Sequence, residues 1–386
     1  MRTSALAHSD AAALLAALTA DLPTLTDDIL SLVRCESPSS DLAAVARSAR
    51  AIAALGTARL GVAPELLVVD GCTHVRWTFG PGPTRVLLIG HHDTVWPVGS
   101  LAAHPAEVSG GILRGPGCLD MKAGVAMAIH ALAALRERDG VALLVTGDEE
   151  IGSRSSRALI AAAAEGCEAV LVLEPAADGR LKVARKGRSH YEVAITGRAA
   201  HAGLEPEKGV NAALELARQV VAVDGLADPA HGTTVTPGVL RAGRSSNTVA
   251  DAASFSIDVR SATTAELDRV DAALRALRPT LAEARVSVDG GIDRPPLERS
   301  ASDALFALAA ELAPGAGIDG LEGAAVGGGS DGSLTAAQGI PTLDGLGAIG
   351  DGLHAEHEHV VLDALPGRTA LVALLASRLL DEGVPA

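Results

Sequence analysis

The sequence predicts an α/β protein: a mostly parallel, buried sheet flanked by helices, interrupted by a second domain of α+β type. Short apolar runs at 84–90, 141–146 and 169–173 alternate with stretches of helical spacing at 122–138 and 153–164. Strands that read as continuous apolar runs are covered on both faces, which is the habit of parallel sheets. Each run also ends in polar residues: His91 and Asp93, then Asp148 to Glu150, then Glu174. Parallel sheets bind ligands beyond the carboxyl ends of their strands, so these clusters mark the functional edge.

From about Gly187 the texture changes. Residues 189–196 alternate apolar with polar, a helical stretch covers 210–223, and strand-like runs follow at 233–240 and 253–259. A helix near 265–277 and a strand near Val286 complete the order strand, helix, strand, strand, helix, strand, which predicts a ferredoxin-like insertion. After Ser300, helices and glycine-rich loops resume and end in a helix at 362–380, so the C-terminal segment completes the first domain. The expected division is 1–187 and 300–386 for that domain and 188–299 for the insertion.

Composition bounds the function. With 48% apolar but only 2% aromatic residues, the core must be built from Ala, Val and Leu. A formal charge of -15 argues against nucleic acid or an anionic membrane as partner. Cys35, Cys72, Cys118 and Cys167 are scattered without C-x-x-C spacing, so a thiolate metal site and a disulfide framework are both disfavoured and a cytoplasmic setting fits. The stretch 1–33 interleaves Asp10, Asp21, Asp27 and Asp28 with apolar residues, which breaks any signal-peptide core and reads as an amphipathic helix. No apolar run reaches the roughly eighteen residues of a membrane span.

Four segments could carry chemistry. In His91-His92-Asp93 a strand end puts the first and third side chains on one face, where Asp93 could orient a metal-bound His91 imidazole, while His92 packs on the other face. H-x-D alone also fits a structural histidine. The tight turn Gly115-Pro116-Gly117 delivers Asp120 just before a helix, where it could equally be an N-cap. Asp148-Glu149-Glu150 sets three carboxylates in a row, whose repulsion calls for cations or hydrogen bonds. Glu174-Pro175 closes a strand with an acid and by itself could be a turn.

Taken together with His354, and in this order and context, these segments resemble the co-catalytic zinc metallopeptidases and deacylases that include glutamate carboxypeptidase, aminoacylase, acetylornithine deacetylase and succinyl-diaminopimelate desuccinylase. The resemblance spans nearly the whole chain, adding Ala200-His201-Ala202-Gly203, Gly327-Gly328-Gly329-Ser330-Asp331, and Glu358 four residues after His354. It implies two Zn²⁺ per subunit, with Co or Mn as possible substitutes: Asp120 bridges them, His91 and Glu174 complete one site, and Glu150 and His354 the other. It implies Glu149 as the general base.

The resemblance further implies that His201 steadies an oxyanion, often across a dimer interface. Arg260 would bind a substrate carboxylate beside Asn247, with backbone N–H groups of Gly328, Gly329 and Ser330 contributing. Read alone, His201 is a loop histidine and Arg260 a surface ion pair. Hinges are expected near Arg188 and Arg299, and Trp96 could line an entrance. His357 and His359 compete with His354, which is preferred for its spacing to Glu358. Ala123 stands where similar proteins commonly have Gly.

The implied activity is cleavage of an amide bond in a small peptide or N-acyl amino acid, releasing an amino acid, by a homodimer joined through the inserted lid/dimerisation domain. A deacylase of acetylated or succinylated amino acids is the runner-up. An aminopeptidase would need an ammonium anchor, which the sequence does not offer. A non-catalytic metal-bound binding protein would be expected to lack one of the ligands or the base, and all are present.

Overall fold

The computed structural model describes residues 8–385. They form two compact units: the residues up to 184 with 297–326 and those from 330 onward make the first, and 185–296 with 327–329 the second.

In the first unit, in chain order, lie α1 (His8–Ala20), α2 (Leu22–Val33), α3 (Leu42–Leu60), β1 (Glu65–Val69), β2 (Cys72–Thr78), β3 (Val86–His91), α4 (Ala123–Ala134), β4 (Val141–Thr146), α5 (Arg157–Ala164) and β5 (Ala169–Val172). The sheet order is β1-β2-β4-β3-β5, extended by Thr342–Leu343. β3 pairs in parallel with both β4 and β5, and Thr342–Leu343 is parallel to β5. β1 and β2 form an antiparallel hairpin at the edge, which the apolar-run reading had not placed.

Every residue of β3, β4 and β5 is buried, so their apolar runs have no solvent face to alternate with. α4 is buried along almost its whole length and packs against α2, α3 and the C-terminal helix Leu365–Glu382. Its alanines let it lie close to the sheet: a Cβ on Gly124 would stand 2.1 Å from the carbonyl oxygen of Leu173, so only glycine fits there. The neighbouring Ala123 has ordinary helical angles (φ -63°, ψ -44°), which is why its methyl group is accommodated.

The expected single N-terminal helix is instead two, with Asp21 between them; residues 1–7 of that expectation lie outside the described residues. Pro23 is the physical reason. In the first turn of α2 its missing N–H costs nothing, whereas inside one continuous helix it would remove a hydrogen bond and clash with the preceding turn. Among the described residues no helix is long and apolar enough to cross a membrane, and the four cysteines are free.

The second unit contains β6 (Gly187–Thr196), α6 (Ala212–Asp224), β7 (Thr234–Ala242), β8 (Ala252–Ser261), α7 (Thr264–Arg275) and β9 (Arg285–Arg294). Its sheet is antiparallel in the order β7-β8-β6-β9, the ferredoxin-like arrangement. Tyr191, Val193, Ile195, Phe255, Ile257 and Val259 alternate onto one face and form a core with Leu216, Val223, Leu267, Val270 and Leu274 of the two helices. Asn211 and Thr263 cap those helices through their side-chain oxygens. Gly327–Gly329 groups with this unit and not with the C-terminal part of the first, where the sequence had put it. Nη1 of Arg185 donates to the carbonyls of Gly328 and Gly329 at 3.0 and 3.2 Å and ties the segment there.

Candidate metal centre and active site

Beyond the carboxyl ends of β3, β4 and β5, the chain brings five nitrogen- and oxygen-bearing side chains together. Two groups of donors form, His91 with Asp120 and Glu174, and Asp120 with Glu150 and His354, each with its donor atoms within 4.8 Å of one another. Asp120 belongs to both. Its Oδ1 lies 3.0 Å from Nε2 of His91 and its Oδ2 lies 3.4 Å from Nε2 of His354. His354 Nε2 is also 3.2 Å from Glu150, and His91 Nε2 is 3.6 Å from Glu174. His359 turns instead toward the carbonyl of His357, so His354 is the histidine that reaches Asp120.

Local chemistry explains the placement. Gly115 and Gly117 adopt positive φ, and Asp120 follows in an extended conformation, so it does not cap α4, whose N-terminal flanking residue is Lys122. Glu358 holds this turn: its carboxylate accepts the N–H groups of Gly117, Leu119 and Asp120 at 2.8 to 3.1 Å, and the indole N–H of Trp96 at 2.8 Å. The spacing of Glu358 to His354 had pointed to the family, and its task proves to be backbone support for Asp120. His354 itself sits at φ 60°, a left-handed conformation histidine tolerates better than most residues.

Asp93 has more partners than the H-x-D spacing implied. Nδ1 of His91 lies 3.0 Å from the backbone carbonyl of Asp93 and 3.4 Å from its carboxylate. That carboxylate accepts the backbone N–H groups of Glu149 (3.1 Å) and Glu150 (3.2 Å) and the hydroxyl of Ser39 (2.6 Å). One buried acid thus orients a histidine and the turn bearing two glutamates. His92 is fully buried, its Nε2 3.0 Å from the carbonyl of Thr73, and burial lowers its pKa to about 4, so it packs as expected.

Asp331 clamps the same turn from the other side, accepting from Thr146 at 3.0 Å and from the hydroxyl of Ser153. Of its neighbours in the glycine-rich motif, Ser330 belongs to the first unit and donates its hydroxyl to Asp344, while Gly328 and Gly329 belong to the second. In the sequence Asp331 stands at the end of the glycine-rich motif with nothing to mark this role, and Ser39 carries no signal at all.

The electrostatics are those of a cation site. Burial opposes charge on His91, but hydrogen bonds with Asp120, Asp93 and Glu174 outweigh it and hold its pKa well above the ordinary value. His354 is raised to about 10 by Asp120 and Glu150. Burial would raise Asp120, yet hydrogen bonds from His354 and His91 hold its carboxyl far below the usual range. Burial raises Glu150, whose Oε1 is buried without a hydrogen-bond partner. An orphaned carboxylate oxygen beside imidazoles, with no sulfur donor, suits hard-to-borderline divalent metals.

The remaining predicted residues lie in the second unit. His201 is exposed, with Nδ1 accepting the N–H of Gly203 at 3.1 Å, and the N–H of Ala202 donates to the carbonyl of Asn247, so these two predicted residues share one loop cluster. Arg260 is paired with Asp258 two residues earlier on β8, at 2.8 Å.

A family model described as peptidase family M20/M25/M40 matches residues 87–378. Carboxypeptidase G2 of Pseudomonas sp. (strain RS-16) is 33% identical over 392 residues, covering 96% of this chain and 93% of that protein. A succinyl-diaminopimelate desuccinylase of Rhodospirillum centenum is 40% identical over 116 residues, 25% of this chain and 30% of its own length. Among solved structures, aminopeptidase PepT from Bacillus cereus ATCC 10987 shares the fold, with a TM-score of 0.72 at 20% identity over 93% of this chain and 99% of that one. With about three quarters of its length inside the family model and a full-length relative at one third identity, the chain belongs to peptidase family M20/M25/M40 and is a metallopeptidase.

Proposed function

We propose that the enzyme uses a pair of zinc ions to hydrolyse an amide bond and release a C-terminal or N-acylated amino acid, as a glutamate carboxypeptidase does. The observation that carries this reading is Asp120, whose two oxygens face two separate histidine–carboxylate sets. In this reading His91, Asp120 and Glu174 hold one ion, and Asp120, Glu150 and His354 the other. Bound there, the pair would supply Lewis acidity toward water and toward the scissile carbonyl.

The chain's own residues do the rest. Glu149 takes the proton of the attacking water and returns it to the leaving nitrogen, so the amine departs neutral. Asp93 keeps that base in register by holding its backbone N–H. Arg260 is the proposed carboxylate binder, because a planar guanidinium matches a carboxylate with two parallel hydrogen bonds, and it must release Asp258 to do so. Asn247 and the backbone of Gly328, Gly329 and Ser330 are proposed as further substrate contacts, His201 as the oxyanion donor, and the second unit as the dimer contact. Identity to carboxypeptidase G2 along nearly the whole chain supports the carboxypeptidase reading. The shorter match to a desuccinylase supports the second reading, an N-acyl-amino-acid deacylase.

The test is release of free amino acid from peptidyl and N-acyl substrates by zinc-loaded protein, chelated protein and Glu149→Gln. Glutamate release by the loaded wild type, with Glu149→Gln slower by about 10²–10⁴-fold, is the expected outcome. Preference for succinylated or acetylated amino acids would move the assignment to the deacylase. Undiminished turnover by Glu149→Gln would remove Glu149 as base.

A further inference from the structure

We propose that His74 on β2, which lies outside the metal donor set, is the positioning residue for the Glu149-Glu150 turn, holding its entry through Gly147 and its exit through Ser155 and Asp148. The proposal rests on reading Glu149 as the general base and Glu150 as a metal donor.

The turn leaves β4 at Thr146 and enters α5 at Arg157, with the two glutamates between. At its entry, the N–H of Gly147 donates to Nδ1 of His74 at 3.1 Å. The chain passes so close to β2 here that a Cβ on Gly147 would stand 2.7 Å from the carbonyl oxygen of Thr73. At the exit, Nε2 of His74 lies 3.2 Å from Oγ of Ser155, and that hydroxyl donates to Asp148 at 2.8 Å. Asp148 also accepts the N–H of Ser155 at 2.6 Å and the hydroxyl of Ser156 at 2.6 Å. His74, Asp148 and Ser155 are all buried.

The hydrogens in this chain have one arrangement. Gly147 can only donate, so Nδ1 must be the bare nitrogen, and the ring of neutral His74 carries its hydrogen on Nε2. Ser155 accepts that hydrogen and passes its own to the carboxylate of Asp148. The ring must stay neutral for this, and burial, the largest influence on it, lowers its pKa in the required direction. Asp93 already holds the middle of the turn through Glu149 and Glu150. His74 supplies what Asp93 does not, a fixed start and end.

Cys72, His74 and Asp148 also have the spacing of three metal donors. Hydrogen bonds occupy both ring nitrogens of His74 and both oxygens of Asp148, and burial pushes the Cys72 thiol up to about 12, so a hydrogen-bond network accounts for the group. A polar network that is fully satisfied and buried defines geometry more sharply than apolar packing does. A base displaced by about 1 Å can lose on the order of 10²-fold in rate.

The experiment measures amide hydrogen exchange across residues 147–156 in metal-free protein and steady-state kinetics of zinc-loaded protein, for wild type, His74→Ala, His74→Asn and Ser155→Ala. His74→Ala should speed exchange in that segment by about tenfold or more while the rest of the sheet is unchanged. It should lower kcat by about 10–100-fold with KM within about twofold. His74→Asn, whose side-chain oxygen can stand where Nδ1 stands, should recover much of both, and Ser155→Ala should fall between.

Unchanged local exchange in His74→Ala would overturn the proposal, as would an unrescued loss accompanied by faster exchange throughout the first unit. If His74→Ala does not fold, His74→Asn and Ser155→Ala decide by the same measurements. An active Glu149→Gln, or an inert loaded wild type, would sink the reading of the base, while the exchange data would still decide whether His74 fixes the turn.

Discussion

The two units differ in how most of their charge near the proposed chemistry is held. In the first, acids and histidines are buried at strand ends and each has several named partners: Asp93 has three donors, Glu358 four, and Asp148 is enclosed by two serines. In the second, the buried acid Glu215 is held in the same way, accepting from Gln219, Thr280 and Leu281, but most ionic groups are exposed or half-exposed pairs such as Arg198 with Glu283 and Arg260 with Asp258. Low dielectric makes the buried groups interact strongly and makes any loss costly, whereas water screens the surface pairs. Chemistry that depends on fixed charge belongs to the first kind of environment, and substrate recognition that must release and re-form fits the second.

Among the substitutions that test this contrast, replacing Asp93 by Asn gives the largest expected effect. The new amide group would set a donor against donors, because the carboxylate accepts two turn N–H groups and a serine hydroxyl. Outer partners of metal ligands typically govern about 10–100-fold in metal affinity or activity, and a loss of that size in zinc titration and kcat is expected. A change under twofold in both would mean that the turn is held without Asp93, and the contrast between the units would weaken.

The pH dependence of metal affinity sharpens the same contrast. In metal-free protein Asp120 and Glu150 raise His354 from its ordinary 6.5 to about 10. A raised folded-state pKa stabilises the fold fully below 6.5, and this contribution is lost as pH rises through about 10. Metal must displace that proton, so affinity should climb across the same window, by at most about tenfold per pH unit for each proton released. Calorimetric titration in buffers of different ionisation enthalpy reads the proton count directly. A flat profile from pH 6.5 upward would remove His354 from the donor set.

How far the sequence reached follows from the same physics. His91, Asp120, Glu150, Glu174 and His354 were legible because apolar runs mark buried strands and the donors stand at or after their ends, in the order of a known family. The ferredoxin-like order was legible because β6 and β8 alternate cleanly between core and surface. The clamps were not. His74 stands in a short edge hairpin, and its partners Gly147 and Ser155 lie far along the chain, joined only when β2 pairs with β4. Ser39 reaches Asp93 from a loop with no motif of its own. Asp331 could have been found by asking what a buried acid after a glycine run must accept, and Glu358 by asking why an acid follows His354 at four residues. Pro23 was the visible sign that the N-terminal helix is two.

The smallest expected effect lies on the second unit and can break the comparison from that side. Arg198 and Glu283 meet at 2.6 Å, but both side chains are more than half exposed. An exposed pair gains little over two hydrated ions and loses side-chain freedom, so Arg198→Ala should leave Tm unchanged within error at ordinary salt. Differential scanning calorimetry at low and high salt checks this. A fall of several degrees that persists in high salt would show that water does not reach the pair in solution. A second copy of the chain covering this face would do that, which would tie the surface chemistry of the second unit to assembly as well as to substrate.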